Sequence, residues 1–191
     1  MRVLIAEDDS VTFLSLKDIL ERMGHIVVAP ARDGSEAVQL VEDEEPDLII
    51  MDIRMPGVDG IEAARTIMRE RPTPIIIVTA YSDESLIERA SKVGISTYLV
   101  KPVREDDLRP ALKLAVDRFH EQQALTSEIS QMRESLETRR LVDKAKWILV
   151  EQLGVSERQA YQRIQQLSRD RNIKMGEIAR VIISGRTTSP A

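Results

Sequence analysis

The chain has no cysteine among its 191 residues. Disulfide bonds and thiolate metal sites are therefore excluded, and a cytoplasmic location is the default expectation. No apolar run approaches the ~18 residues that a membrane-spanning helix needs, so no membrane contact is expected. Residues 1–5 enter an apolar segment directly and do not have the form of a signal peptide.

Glycine and proline are absent from one long stretch, between Pro110 and Gly154. This absence favours one long helix, at about 107–153, although the chain could also fold back near 121–123. Its apolar residues step by threes and fours, as in a coiled-coil seam, but they form two sets that differ in register: Leu112, Val116 and Phe119, then Leu125, Ile129, Met132 and Leu136. A narrow seam on a long helix predicts pairing with a second chain and therefore a homodimer.

Charge is distributed unevenly along the chain. Residues 1–138 carry 16 Lys and Arg against 27 Asp and Glu, a net charge of −11. Residues 139–191 carry 11 against 5, a net charge of +6. An acidic front and a basic tail predict two domains, with the tail facing an anionic partner.

Apolar runs alternate with helical patterns throughout the acidic part, at residues 3–6, 26–29, 48–51, 75–78 and 97–100. Strict alternation predicts a parallel sheet with helices on both faces, an α/β fold of the doubly wound type. Polar side chains follow four of these runs within one or two residues. Because the carboxyl ends of parallel strands share one edge, these side chains are expected to converge: Glu7, Asp8, Asp52, Thr79 and Lys101.

The converging groups favour one kind of chemistry. Clustered carboxylates without His or Cys are hard oxygen ligands that suit Mg²⁺ or Mn²⁺ rather than zinc. Such a site suits phosphoryl transfer to a carboxylate, with Asp52 as the nucleophile and Lys101 and Thr79 holding phosphoryl oxygens. A lone Asp at a strand end is often only a turn residue, so the prediction depends on the convergence. The neighbouring Asp9 is predicted to cap the first helix instead.

Residues 1–120 resemble the receiver domain of two-component response regulators. The resemblance rests on motifs in the family's order, namely the acidic pair Glu7-Asp8, the segment Asp52–Gly57, Thr79, Tyr98 and Lys101-Pro102. It implies a flavodoxin-like sheet of five strands and phosphorylation of Asp52 by a sensor histidine kinase.

The same resemblance implies a set of Mg²⁺ ligands. Asp8, Asp52 and the main-chain carbonyl of Arg54 would hold the ion, and Glu7 would act through water.

The resemblance also implies a switch and a special peptide bond. The Thr79 hydroxyl would move toward the phosphoryl group, and the ring of Tyr98 would follow it inward. The bond before Pro102 would be cis.

The basic tail contains three short helical patterns, the second of which opens on a capping box from Ser156 to Gln159. Residues 136–184 resemble the ANTAR domain of transcription antitermination regulators, and the matching pairs are Ala145-Lys146, Ser156-Glu157, Ala160-Tyr161 and Ile178-Ala179. The resemblance implies a three-helix module that binds RNA hairpins in nascent transcripts, generally as a dimer.

The side chains that could contact RNA lie off the predicted core of this module. Trp147 points nearly opposite to the apolar face of its helix and could stack on an unpaired base. The alternative is that it packs against the receiver or a second chain. The candidate RNA-binding residues are Lys144, Lys146, Trp147, Arg158, Tyr161, Arg163 and Arg169.

The sequence therefore predicts a phosphorylation-controlled regulator that binds RNA and promotes antitermination. The predicted parts are a receiver at 1–120, a helical linker at 107–140, an RNA-binding bundle at 136–184 and a disordered tail at 185–191. The alternatives are a DNA-binding helical output domain and a protein-binding coiled coil. No catalytic group appears beyond Asp52, so we expect no enzyme activity except slow self-dephosphorylation.

Overall fold

A computed structural model describes residues 1–80, 84–95 and 97–185. The chain divides into two compact units, Met1–Gln123 and Ala124–Ala191. None of the helices in the described part has the length and apolar character that a membrane span requires. Residues 186–191, nearly all of the predicted disordered tail, lie outside the described residues.

The first unit is built on a parallel sheet with the strand order β2-β1-β3-β4-β5. The strands are β1 Arg2–Ala6, β2 Ile26–Ala31, β3 Leu48–Asp52, β4 Ile75–Thr79 and β5 Thr97–Val100. This order is that of flavodoxin-like folds, and it confirms the predicted fold class. Every residue of β3 and β4 is buried, which explains why these strands are apolar on both faces.

Helices cover both faces of the sheet. They are α1 Ser10–Arg22, α2 Gly34–Glu44, α3 Gly60–Glu70, α4 Glu84–Lys92 and the long α5 Glu105–Leu153. Alternate strand residues face opposite layers: Leu4 and Ile49 pack with α2 and α3, whereas Val3 and Ile50 pack with α1 and the start of α5. The order of the strands reverses between β1 and β3, where folds of this type leave a crevice at the carboxyl ends.

Helix α5 is a single helix, which answers the question that the sequence left open. It begins at Glu105, so Pro110 lies in its second turn. The two apolar sets have different surroundings. Leu112 is buried in the core of the first unit, whereas Leu125, Ile129, Met132 and Leu136 are all more than half exposed. The change of register therefore marks the end of the part of α5 that packs on the sheet.

The second unit is a three-helix bundle formed by the C-terminal part of α5, α6 Glu157–Arg171 and α7 Met175–Ile183. Its core contains Val142, Ala145, Ile164, Ile178 and Ala179. The predicted capping box is confirmed, because the Ser156 side chain accepts from the Gln159 backbone while the Gln159 side chain accepts from the Ser156 backbone. Tyr161, one of the candidate RNA-binding residues, follows the buried Ala160 and is itself 43% exposed.

Candidate functional site

Four strand ends bring polar groups to one edge of the sheet. Glu7 follows β1, Asp52 ends β3 and Thr79 ends β4. The backbone N–H of Lys101, just after β5, donates to the carbonyl of Thr79 at 2.9 Å, which extends the pairing of β4 and β5 by one residue. The Glu7 N–H donates in the same way to Ala31 at the end of β2. Backbone pairing therefore holds these residues at the same edge.

The Lys101 ammonium joins two carboxylates. Its Nζ lies 2.6 Å from Asp52 Oδ2, to which it donates a hydrogen bond, and 2.6 Å from Glu7 Oε2. The side chains of Glu7 and Asp52 are only 1% and 9% exposed, and that of Lys101 is 18% exposed. Charges this deeply buried require partners, and here each provides one for the other.

Burial and pairing act on the pKa values of this cluster in different ways. Burial disfavours the ionised form of Glu7 and raises its pKa, despite the opposing effect of Lys101. Burial also disfavours the charged form of Lys101, but the hydrogen bonds that it donates to Asp52 and Glu7 outweigh this effect and raise the pKa of the ammonium. Lys101 therefore stays charged beside Asp52 and can hold a second anionic group there.

A third carboxylate completes an oxygen-rich pocket. One oxygen each from Glu7, Asp8 and Asp52 lies within 4.8 Å of the other two. Asp8 is exposed, unlike its two neighbours, and the Arg54 N–H donates to Asp52 Oδ1 at 3.2 Å, which brings the backbone after β3 around the carboxylate. This oxygen set fits a hard divalent cation such as Mg²⁺.

Asp9 is not part of this cluster. Its side chain accepts from the backbone N–H of Val11 and Thr12 and from the Thr12 hydroxyl, so it is the N-cap of α1 as predicted. These hydrogen bonds, chiefly that of the hydroxyl, lower the pKa of Asp9.

The residues expected to form a switch lie on neighbouring strands with opposite exposure. Thr79 is 2% exposed at the end of β4, and Tyr98 on β5 is 49% exposed. The Lys101–Pro102 peptide bond is cis. The aromatic ring is thus turned outward in this structure.

The sequence reasoning missed two residues that support Asp52. A Cβ atom on Gly60 would lie 2.0 Å from the Asp52 carbonyl oxygen, so only glycine allows α3 to begin this close to β3. The preceding Asp59 caps α3 through the N–H groups of Ile61 and Glu62, and Arg89 of α4 donates to it at 3.1 Å. The Asp-Gly pair ahead of a helical pattern was a readable signal for the cap, but nothing local indicated the close approach.

The candidate RNA-binding residues of the second unit differ in their surroundings. Lys144, Arg158, Arg163 and Arg169 are exposed, as are the aromatic side chains, and Trp147 is 60% exposed.

Lys146 lies apart from the other candidates, because its side chain is only 14% exposed. Its Nζ lies 2.6 Å from Glu157 and 2.9 Å from Asp143. The hydrogen bond with Glu157, and then that with Asp143, raise the pKa of its ammonium. Lys146 therefore links α5 to the start of α6, and contact with RNA would require it to leave both carboxylates.

A groove along α6 adds polar groups that the sequence reasoning missed. It encloses about 520 Å³ and is lined by Gln162, Gln166 and the candidate Arg163, among others. Amide and guanidinium groups can hydrogen-bond to base edges and phosphates. The spacing of Gln162, Arg163 and Gln166 on one helix was the available signal.

Comparison with known proteins agrees with this geometry. Residues 3–113 match the model of the response regulator receiver domain, and residues 130–183 match that of the ANTAR domain. The chain is 45% identical to the transcriptional regulatory protein PdtaR of Mycobacterium tuberculosis over 182 residues, which are 95% of this chain and 89% of the relative.

Two further relatives match the first unit. The positive alginate biosynthesis regulatory protein of Pseudomonas aeruginosa is 43% identical over 118 residues, 60% of this chain and 47% of the relative. The solved signal receiver domain of a modulated diguanylate cyclase from Desulfovibrio desulfuricans G20 is 33% identical, with a TM-score of 0.59 over 63% of this chain and 97% of that chain. The resemblance inferred from the motifs is thereby confirmed, and the chain belongs to the response regulators, with an N-terminal receiver domain and a C-terminal ANTAR domain.

Proposed function

We propose that this protein is a phosphorylation-controlled regulator that binds RNA hairpins in nascent transcripts and promotes transcription antitermination. The observation that carries the proposal is the buried Lys101 ammonium held between Asp52 and Glu7, with Asp8 beside them, in a chain whose other unit is an ANTAR domain. The first unit would receive the signal, and the second would act on RNA.

Asp52 is the phosphoacceptor in this proposal. One of its carboxylate oxygens attacks the phosphorus of a phosphohistidine on a sensor histidine kinase. A P–O bond forms as the P–N bond breaks, and the imidazole leaves with the electron pair. The nucleophile needs no general base, because an ionised carboxylate has no proton to lose when it attacks. The acceptor is consumed once per signal, so the chain acts as a switch whose only turnover is slow hydrolysis of the acyl phosphate.

The neighbouring groups would stabilise the charge that the phosphoryl group brings, about −1.5 to −2. The Lys101 ammonium, already 2.6 Å from Asp52, would shift its hydrogen bond to a phosphoryl oxygen. Thr79 would donate its hydroxyl to a second oxygen, and the ring of Tyr98 would then move inward from its exposed position.

Three oxygen groups would hold Mg²⁺: the carboxylates of Asp8 and Asp52 and the main-chain carbonyl of Arg54, with Glu7 acting through water. The cation would supply positive charge opposite the phosphoryl oxygens. The closeness of the three carboxylates, within 4.8 Å, supports this assignment.

The RNA-binding surface would combine stacking and phosphate contacts. Trp147 and Tyr161 are exposed aromatic side chains on which unpaired bases could stack. The arginines at 158, 163 and 169 are exposed on α6 and would contact phosphate. Lys144 belongs to the same surface, whereas Lys146 would act chiefly by holding α5 to α6.

The proposal includes a homodimer, formed through the helical linker at 107–140. The receiver would occupy 1–120 and the RNA-binding bundle 136–184. The protein would work in the cytoplasm, where a kinase and a nascent transcript are both accessible. The exposed apolar residues of the linker support the pairing.

The test is RNA binding by the full-length protein with and without beryllofluoride and Mg²⁺, which together imitate the phosphorylated carboxylate. A labelled two-hairpin RNA should bind more tightly in the activated state. An unlabelled duplex DNA competitor should displace it poorly. The salt concentration is kept the same throughout, because non-specific phosphate binding falls steeply with salt. Equal affinity and an equal oligomeric state in both conditions would refute the coupling, and effective competition by DNA would favour a DNA-binding output.

A further inference from the structure

A pocket of about 360 Å³ lies in the first unit, at the edge of the sheet opposite to Asp52. Its lining comes from the residue before β1, from the turn that leads into β2 and from residues 109–117 of α5. Parallel strands begin at one edge and end at the other, and Asp52 is the last residue of β3. The pocket is therefore a strand's length, about 15 Å, from the acidic cluster.

The floor of the pocket is apolar. Leu112 is buried in the core beneath the sheet, and Met23 and Val116 pack against the same core. Met1 adds a second thioether and is 41% exposed. Methionine side chains adapt their shape to what they contact, so this floor suits an apolar group of variable shape.

The rim of the pocket is basic. Arg109 and Lys113 lie one turn apart on α5, and His25 lines the pocket from the turn before β2. Arg109 lies 2.6 Å from Glu105, whereas the exposed Lys113 has no ion pair within the described part of the chain. The Lys113 ammonium is therefore available to an anion.

The environment of His25 reflects this gathering of positive charge. Burial chiefly, and then the charges of the Met1 amino group and of Arg109, lower its pKa. An anion at the rim would oppose the effect of these charges. Asp117, one turn beyond Lys113, is the acidic member of the described lining and would repel such an anion.

The volume limits the size of an occupant. A molecule of liquid water takes about 30 Å³, so 360 Å³ corresponds to roughly a dozen nonhydrogen atoms. Pockets of this size with an apolar lining and a few polar groups are typical of small-molecule sites. A carboxylate with eight to ten carbons would fill this one.

We propose that the pocket binds a small amphipathic carboxylate, with its apolar chain on the floor and its head group at the basic rim. Lys113 would form the ion pair with the carboxylate, and Arg109 and His25 would add hydrogen-bond donors. Because much of the lining belongs to α5, an occupied pocket would hold this part of α5 more firmly against the sheet. The pocket would thus give the receiver a second input, separate from phosphorylation.

Probes with one chain and different head groups test the proposal. The chain has two histidines, and His120 lies outside the lining, so NMR of the ring signals in full-length protein provides an internal control. Octanoate should shift the His25 signals saturably and leave those of His120 unchanged. It should also raise the pKa of His25, because a nearby carboxylate favours the charged ring.

The other probes separate the head group from the chain. Octanol should bind about five-fold more weakly than octanoate and leave the pKa of His25 unchanged, and octylammonium should bind more weakly still. Hexanoate should bind about ten-fold more weakly than octanoate, since each buried methylene contributes roughly four-fold.

Exposed charged residues of α5 provide variants that leave the core intact. Lys113→Gln should weaken octanoate binding about five-fold and leave octanol binding unchanged. Asp117→Asn should strengthen octanoate binding about two-fold, because it removes a like charge. Arg118→Gln, an exposed position on the same helix outside the lining, is the control and should bind as the wild type does. Isothermal titration calorimetry measures each affinity.

Three results would each overturn the proposal. The first is an absence of saturable His25 shifts with millimolar octanoate. The second is octylammonium binding as tightly as octanoate, which would make the basic rim irrelevant. The third is an equal effect of Lys113→Gln and Arg118→Gln on octanoate binding, which would indicate only a general attraction of anions to the surface.

Discussion

Each unit of the molecule holds one lysine between two carboxylates, and the two clusters differ in the burial of the acids. Lys101 and Lys146 are similarly shielded, with side chains 18% and 14% exposed. The partners of Lys101 are 1% and 9% exposed, whereas Asp143 and Glu157 are 52% and 59% exposed. One lysine therefore neutralises buried charge, and the other joins two acids that water already solvates.

The difference in the burial of the acids distinguishes a site suited to chemistry from a contact that only joins two helices. Removing a cation from between buried carboxylates leaves charge that water cannot solvate, so another cation is required. Removing one from between solvated carboxylates leaves acids that stay hydrated and costs little. The first arrangement is suited to exchanging Lys101 contacts for Mg²⁺ and a phosphoryl group. The second can only hold α5 and α6 together.

The largest effect is expected from Asp52→Asn, which should abolish phosphorylation by a small-molecule phosphodonor such as acetyl phosphate. An amide is no nucleophile toward phosphorus, and no other carboxylate lies in the same position. Mass spectrometry of the intact protein measures the added phosphoryl group. Asp143→Asn makes the same change beside Lys146 and should leave phosphorylation at the wild-type level. Phosphorylation of the Asp52→Asn protein would place the acceptor elsewhere.

Replacing each lysine by methionine should lower the free energy of unfolding by different amounts in the two clusters. Lys101→Met should lower the free energy of unfolding by about 2–4 kcal/mol, because Glu7 and Asp52 lose their buried partner. Lys146→Met should cost less than about 1 kcal/mol. Urea unfolding of the full-length variants measures both losses, the first in the unit that contains Lys101 and the second in the unit that contains Lys146.

Magnesium provides the control for this comparison. If Lys101 and Mg²⁺ neutralise the same carboxylates, millimolar Mg²⁺ should restore part of the stability lost in Lys101→Met and leave Lys146→Met unchanged. Equal losses in the two variants, independent of Mg²⁺, would show that acid burial does not distinguish the clusters.

The sequence could predict the first cluster because its parts obey simple rules. Apolar runs as short as 48–51 locate strands, and parallel strands bring Asp52 and Lys101 to one edge although 49 residues separate them. One partner of Lys146, Asp143, lies three residues before it on the same helix, but the other partner followed no such rule. Glu157 lies across a loop on another helix, and helical periodicity indicates only that Lys146 lies off the core. Surface pairing of this kind depends on how helices pack, so its prediction required the structure.

One glycine in each unit extends the comparison to how closely the helices pack. Gly60→Ala should destabilise the first unit by about 2–3 kcal/mol, because the new Cβ would lie 2.0 Å from the Asp52 carbonyl oxygen and α3 would have to move. For Gly176→Ala in α7, the nearest atoms to the new Cβ belong to the Thr138 side chain, with the hydroxyl oxygen at 3.1 Å and two carbon atoms at 3.6 and 3.7 Å. Its gain in helix propensity of about 1 kcal/mol offsets that contact, so its stability should stay close to that of the wild type.

The readout for the two glycines is urea unfolding together with phosphorylation by acetyl phosphate. Gly60→Ala should also slow phosphorylation, since the displaced carbonyl belongs to the acceptor residue itself. A Gly60→Ala protein as stable and as reactive as the wild type would show that α3 can retreat without moving Asp52.

The smallest effect concerns the exposed surface of the second unit. Trp147→Ala should weaken binding of the two-hairpin RNA about ten-fold, which corresponds to the loss of one base-stacking contact. Leu153→Ala removes another exposed apolar side chain from the same helix, 48% exposed, and should change affinity less than about two-fold. Lys146→Met should also have little effect, because its ammonium is already held by Glu157. Fluorescence anisotropy with labelled RNA measures all three. If Trp147→Ala instead lowers stability or dimerisation and leaves RNA affinity unchanged, Trp147 is a packing residue, and the RNA surface must be sought along the groove of α6.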